Sequence, residues 1–208
     1  MTTEGNILVF GDALSRKHRF ILVVGREANN HIPIVPRIDE YTRKALATGN
    51  FPNVKFWSNA YGLMGRFVGI EAHELKHQCI HQCTSPIAFC DASPVALDGK
   101  LSPYRKQKFR QTIPVGVIED HLQGVFSHAE VIDRTSLVVI SGVTGCGLDH
   151  AAPVLESICL AKRLPFCHIH SLSSRNHTHP QREQQLQEYS DVIRSTLSES
   201  WDAQDKAA

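Results

Sequence analysis

No apolar stretch in this chain approaches the ~20 residues that a membrane-crossing helix needs, so a bilayer span is not expected and a membrane partner is excluded at this level. The first residues, MTTEGN, carry no basic segment followed by a long apolar run, so a secretory address is not expected and a cytoplasmic one is, with the nucleus as the eukaryotic equivalent. Internal repeats, low-complexity tracts and Pro/Gly/Ser linkers are also missing, which argues against solenoids and beads-on-a-string arrangements. Charge of one sign is not in excess: 22 Lys and Arg stand against 21 Asp and Glu, so no global field directs the chain to a polyanion.

What remains is an ordinary globular composition in a chain of 208 residues, long enough for one substantial core at roughly 100–200 residues per domain. The expectation is a single domain over residues 1–200, with 201–208 as a flexible tail. Six cysteines (Cys79, Cys83, Cys90, Cys146, Cys159 and Cys167) include three in or beside apolar runs, which suits buried free thiols in a reducing compartment. Near-neutral net charge conceals two basic clusters, Arg105, Lys106, Lys108 and Arg110, and Arg175, His177, His179 and Arg182. Such runs are either solvated faces or phosphate contacts.

Four short apolar runs, Phe20 to Val24, Pro86 to Phe89, Leu137 to Ile140 and Pro165 to Ile169, read as strands buried on both faces, the pattern of a parallel sheet covered by helices. A further run, Ile7 to Phe10, reads as an edge strand or hairpin arm. Helical stretches are expected in Arg37 to Ala47, in Ser58 to Cys83, over Pro114 to Ser127, over Asp149 to Lys162 with Asp149 as N-cap, and over Pro180 to Leu197. In the last of these Leu186, Tyr189, Ile193 and Leu197 share one side. The alternation predicts an α/β fold, a three-layer α/β/α domain around a mainly parallel four-stranded sheet. Ligands of such sheets bind outside the carboxyl ends of the strands.

Four segments therefore carry the candidate chemistry. Gly25 to His31 (GREANNH) sets a carboxylate and two amides after a strand, either a site or a polar turn. Asp91 follows Phe89 and Cys90, placed to accept hydrogen bonds from a ligand or to cap a turn. Gly142, Gly145 and Gly147 allow close backbone approach to a phosphate or base, but their order departs from GxGxxG and no acidic residue follows a second strand at the right distance, so a dinucleotide fold is not expected. His168, His170, Ser171, Ser173, Ser174, Arg175 and Asn176 crowd hydrogen-bonding groups at the end of an apolar strand, more than packing requires.

Together these segments resemble the uracil-DNA glycosylase superfamily, in particular its mismatch-specific and single-strand-selective branches. The family's first strand ends in a motif like GxNPG, with which GREAN aligns from Gly25, setting Glu27 at the catalytic third position; the proline is absent. A Phe-Trp pair follows here as Phe56-Trp57, with Gly62 and Gly65 after it. The asparagine that reads the base edge corresponds to Asp91 in FCDASP, and HIHSLSSRN is similar to the family's HPSPLSxRN and PSSSARC patterns. The similarity spans Phe20 to Leu197.

The resemblance implies a DNA glycosylase of base-excision repair that extrudes a damaged or deaminated base into a pocket and hydrolyses its N-glycosidic bond. Glu27 is the implied catalytic carboxylate and His168 or His170 the implied histidine. Gly25, Asn29, Phe89 and Asp91 would contact the base, and Ser171, Ser173, Ser174, Arg175 and Asn176 the DNA, with Leu172 as the wedge that fills the gap. The partner is DNA and the implied state a monomer. An asparagine both donates and accepts, whereas ionised aspartate only accepts, so Asp91 directs the expectation from uracil towards a modified or deaminated purine. Some branches hold an iron–sulfur cluster on N-terminal cysteines; no cysteine precedes Cys79, and no cofactor is expected. A non-catalytic nucleobase or nucleic-acid binder of the same fold is the alternative.

A third reading comes from His73-Glu74-Leu75-Lys76-His77, a literal HExxH. On a helix the two histidines share a face and can bind zinc with Glu74 as base, with His81, Cys79 and Cys83 nearby. Lys76 sets a cation inside the motif, and the downstream ligands of common zinc peptidases are missing. The motif reads more readily as a polar helix face between the Phe-Trp segment and the second strand, and no metal is expected.

Overall fold

The structure, a computed structural model, describes residues 7–9, 19–27, 55–75, 87–94, 113–143, 150–170, 172 and 179–205. Each of the four apolar runs forms a strand: β2 (Phe20–Glu27), β3 (Ile87–Ser93), β4 (Thr135–Ser141) and β5 (Phe166–Ile169). The earlier run supplies a fifth, β1 (Ile7–Val9). The sheet order is β1-β3-β2-β4-β5, with β2 to β5 mutually parallel and β1 antiparallel to β3 at the edge. The expected three-layer α/β/α architecture is therefore present, with an edge strand added to its four parallel ones.

The two faces follow from strand alternation. Leu22, Val24, Ala88, Cys90, Val138 and Ile140 are buried on one side beneath α2 (Val115–Val125), α3 (Ala129–Arg134) and α4 (Ala151–Lys162). Ile21, Val23, Ile87, Phe89, Leu137 and Val139 are buried on the other beneath α1 (Lys55–Val68) and α5 (His179–Asp205). At about 1.5–3 kcal/mol for each fully buried aliphatic side chain, both layers contribute to holding the sheet. Arg66 of α1 pairs with Glu183 of α5, and Arg194 donates to the Arg66 carbonyl at 3.0 Å while its guanidinium lies over Phe67.

Several expectations shift in detail. α5 buries the expected side through Leu186, Tyr189, Ile193 and Leu197 and runs to Asp205, past residue 201 where the tail is expected to start. No glycine or proline follows Pro180 to stop the helix. α3 is an unexpected six-residue helix that passes directly into β4. α4 starts at Ala151 with His150 in the cap position and no side-chain cap bond; Asp149, the expected N-cap, and the Arg37 to Ala47 helix lie outside the described residues. No described helix is long and apolar enough to cross a membrane.

Candidate functional site

Because β2 to β5 are parallel, their carboxyl ends open on one side of the sheet. The chain steps from β2 out to β3, then crosses back over β2 to β4 on its other side. Segments leaving β2 and β4 thus lead to opposite faces, α1 on one and α4 on the other. Divergent exits of this kind leave a crevice at the reversal point.

The residues at that edge come from three strands. Gly25 pairs with Asp91 and Glu27 with Ser93, so the polar ends of GREANNH and CDASP begin inside strands, not in loops after them. Ladder hydrogen bonds continue past the apolar runs because the two strands extend together. Val24 pairs with Ile140, which sets Gly25 and Ser141 side by side one residue further on, and Ser141 pairs with Ile169. Alternation continues Val23 to Gly25, Phe89 to Asp91 and Val139 to Ser141 on the α1 and α5 side. The row across the edge is thus Asp91, Gly25, Ser141 and Ile169, with the side-chain-free glycine flanked by a carboxylate and a hydroxyl. Asp91 is half-buried.

Two buried polar groups, neither legible as a site residue in the sequence, hold this edge. His121 of α2 is fully buried and donates from Nε2 to the Asp91 backbone carbonyl at 2.7 Å. Burial pushes its pKa below the ordinary histidine range, partly offset by that bond. The imidazole is thus neutral, with the proton on Nε2 and no partner for Nδ1 among the described residues. A signal existed: Ile118, Leu122 and Val125 mark the apolar stripe of α2, and position 121 lies on it. The second group is Asn59 of α1, also buried, whose Nδ2 donates to the Leu172 carbonyl.

The segment after β5 is fixed from the sheet as well. Ser141 Oγ donates to the His170 carbonyl at 3.4 Å and accepts the Leu172 N–H at 3.2 Å. Gly142 N–H donates to the Ile169 carbonyl at 3.0 Å, so this amide is engaged within the sheet and is not presented to a phosphate.

The expected site residues divide accordingly. Gly25, Asp91 and the backbone of His170 come together at the edge, and the Glu27 backbone lies in register just beyond. His168 does not join them: it projects from the opposite face of β5, where Nε2 lies 2.9 Å from Glu156 Oε1 of α4, a half-exposed surface pair of the kind that contributes about 0–1 kcal/mol. Phe89 is a core residue, 4% exposed, one row below Asp91. Leu172 differs from its expected role as a wedge: at 2% exposure it is packed among Cys167, Ile169 and Leu186, and a side chain committed to that core is not presented to a duplex. Asn29, Ser171, Ser173, Ser174, Arg175 and Asn176 lie outside the described residues, as do Gly145, Gly147 and the basic cluster from Arg105 to Arg110. Of the HExxH motif, His73 and Glu74 are exposed on a helical turn over 72–75 and Leu75 is buried; Lys76 and His77 are outside the described residues. Among the described residues no group of three or more His, Cys, Asp or Glu is arranged to hold a metal.

Chemically, the edge offers the half-buried Asp91 carboxylate, the buried Gly25 and the backbone of His170, whose side chain is exposed. That combination suits a flat polar ligand with N–H groups on its edge. Comparison with family models, curated proteins and solved structures finds no match for this chain.

Proposed function

We propose that the protein is a DNA N-glycosylase that receives an extruded base over Gly25 and hydrolyses its bond to the sugar. Asp91 accepts an N–H from the base edge, and His170 donates to a base oxygen as negative charge develops there. Glu27 has the role of the carboxylate that orients water and offsets positive charge on the sugar. One such aimed donor contributes about 3 kcal/mol to the barrier reduction. The observation that supports this reading most is the Gly25 to Asp91 pairing at the carboxyl edge, next to the Ser141–His170 contact. Three segments that resemble the glycosylase family, distant in sequence, meet at one end of the sheet.

On this reading the protein acts on DNA inside the cell as a monomer, without metal or cofactor. The test is a panel of duplex and single-stranded oligonucleotides carrying uracil, hypoxanthine or xanthine, scored for alkali-labile abasic sites. Ionised Asp91 only accepts and can take the ring N–H that uracil, hypoxanthine and xanthine all present beside a carbonyl; Asp91→Asn adds a donor for that carbonyl and is expected to change base preference by roughly tenfold or more, the discrimination one buried hydrogen bond supplies. Identical preferences in parent and variant would remove Asp91 from the reader's role. The second reading is a non-catalytic binder of the same fold, favoured by the engagement of His168 with Glu156 away from the edge; binding without abasic-site formation is its signature. Activity lost to a chelator and restored by zinc would return the HExxH reading.

A further inference from the structure

Leu172 has both of its backbone hydrogen-bonding groups taken by side chains from elsewhere in the fold. Its N–H is held by Ser141 Oγ, 31 residues away at the end of β4, and its carbonyl by Asn59 Nδ2, 113 residues away on α1. The same Ser141 hydroxyl spends its proton on the His170 carbonyl, so one oxygen acts as donor to one residue and acceptor from another, the full capacity of a hydroxyl apart from one lone pair. Chain leaving a strand usually satisfies such groups with water. Here buried groups on two layers do it, and the Leu172 side chain adds an anchor in the α1–α5 core.

We infer that Asn59 and Ser141 are positioning residues that fix His170 at the carboxyl edge beside Gly25 and Asp91. The inference rests on the glycosylase reading for its consequence, since His170 is the donor to the base in that reading, but the clamp itself is a property of the backbone around Leu172. Its chemistry is specific. Asn59 must donate to a carbonyl, and Ser141 must accept an amide while donating to a second carbonyl. Removing Asn59 frees the Leu172 carbonyl, removing Ser141 frees the Leu172 N–H and the His170 carbonyl together, and removing both frees all three groups. A donor displaced by about 1 Å can forfeit on the order of a hundredfold in rate, so the clamp is expected to act on the chemical step and not on DNA affinity.

The experiment compares wild type with Ser141→Ala, Ser141→Thr, Asn59→Leu and the Ser141→Ala/Asn59→Leu double variant. Site-resolved amide exchange at Leu172 and the imidazole resonances of His170 are read alongside single-turnover base release and oligonucleotide affinity. In wild type the Leu172 amide is expected to be strongly protected. In Ser141→Ala its protection is expected to fall by about tenfold or more while Val138 to Ile140 change by less than about threefold, the mark of local and not global opening. Ser141→Thr restores it. Base release is expected to drop roughly 10- to 100-fold in each single variant with affinity nearly unchanged, and the double variant to lose less than the product of the two because both act through one residue, Leu172. An unprotected Leu172 amide in wild type, a measurement that needs no variant to fold, overturns the inference. So do unchanged Leu172 exchange and His170 resonances in both single variants, whatever the activity. No base release by wild type on any oligonucleotide would instead overturn the glycosylase reading, with the exchange data still deciding whether the clamp exists.

Discussion

His121 illustrates how a single residue can be central to an edge it does not belong to. Its ring lies on the side of the sheet away from the Asp91 side chain, yet it bonds the Asp91 carbonyl and so bears on where β3 carries that carboxylate. Keeping the imidazole neutral has a thermodynamic consequence. The folded pKa is depressed below the unfolded value of about 6.5, so in the window beneath 6.5 the unfolded chain binds a proton that the folded chain refuses. Stability is fully present above that pH and is lost as pH falls towards the folded pKa. His121→Leu is expected to lose about 1–3 kcal/mol at pH 8 through the missing hydrogen bond but to show a flatter decline from pH 7 to pH 5. Urea midpoints for both proteins across that range test it, because carboxylates titrate alike in the two and the difference isolates position 121. Parallel curves would mean that His121 does not titrate differently on folding. A sequence reading marked His168 and His170 for their place after an apolar run and passed over His121. Burial of a polar ring depends on what meets it across the sheet, and local pattern carries only half of that information.

At the scale of elements, the reading of apolar runs as strands succeeded because a strand buried on both faces leaves no alternation to interpret. It fell short at the ends that matter for function. Gly25 to Glu27 and Asp91 to Ser93 are strand because each finds the other, a long-range pairing that neither segment's composition announces. Leu172 shows the converse. The family resemblance implies Leu172 as a projecting wedge, whereas its neighbours across the α1–α5 layer make it core. The glycines after Phe56-Trp57 also gain a physical reason. α1 ends with Gly69 in the left-handed region at φ 75°, and Ile70 N–H returns to the Gly65 carbonyl at 2.8 Å, the closing bond of a Schellman turn. A Cβ at Gly65 would lie 2.4 Å from the Ile70 carbonyl oxygen, a backbone atom that can yield only by opening that turn. Gly65→Ala is therefore expected to destabilise by about 1–3 kcal/mol despite the higher helix propensity of alanine, measurable as a drop in Tm. An unchanged or raised Tm would show that the turn gives way at no cost.

For the molecule as a whole, the question is whether two packed layers on one sheet behave as one cooperative unit. Three thiols report on it from different places. Cys90 and Cys159 lie in the layer beneath α2 and α4, and Cys167 in the layer beneath α1 and α5. Burial pushes all three up: Cys90 well above the ordinary thiol range, Cys159 to about 12 with the Glu156 carboxylate adding to the effect, and Cys167 to about 11, with a hydrogen bond to Thr196 acting in the opposite direction. At pH 8 the thiolate fraction of Cys159 and Cys167 is thus on the order of one in a thousand or less, and it is shielded besides. Alkylation must then wait for unfolding. If residues 1–200 form one domain, breaking either layer exposes the sheet face that the other layer shares, so neither can melt alone at an acceptable loss of buried area. Urea-dependent labelling with iodoacetamide, read peptide by peptide in a mass spectrometer, is expected to show Cys90, Cys159 and Cys167 rising together with one midpoint, coincident with loss of helical circular dichroism. Labelling of Cys167 at lower urea than Cys90 and Cys159 would mean that the α1–α5 layer opens by itself, and with it the Asn59 to Leu172 bond at the edge of the proposed site. A shared midpoint instead ties the geometry of that edge to the stability of the entire fold.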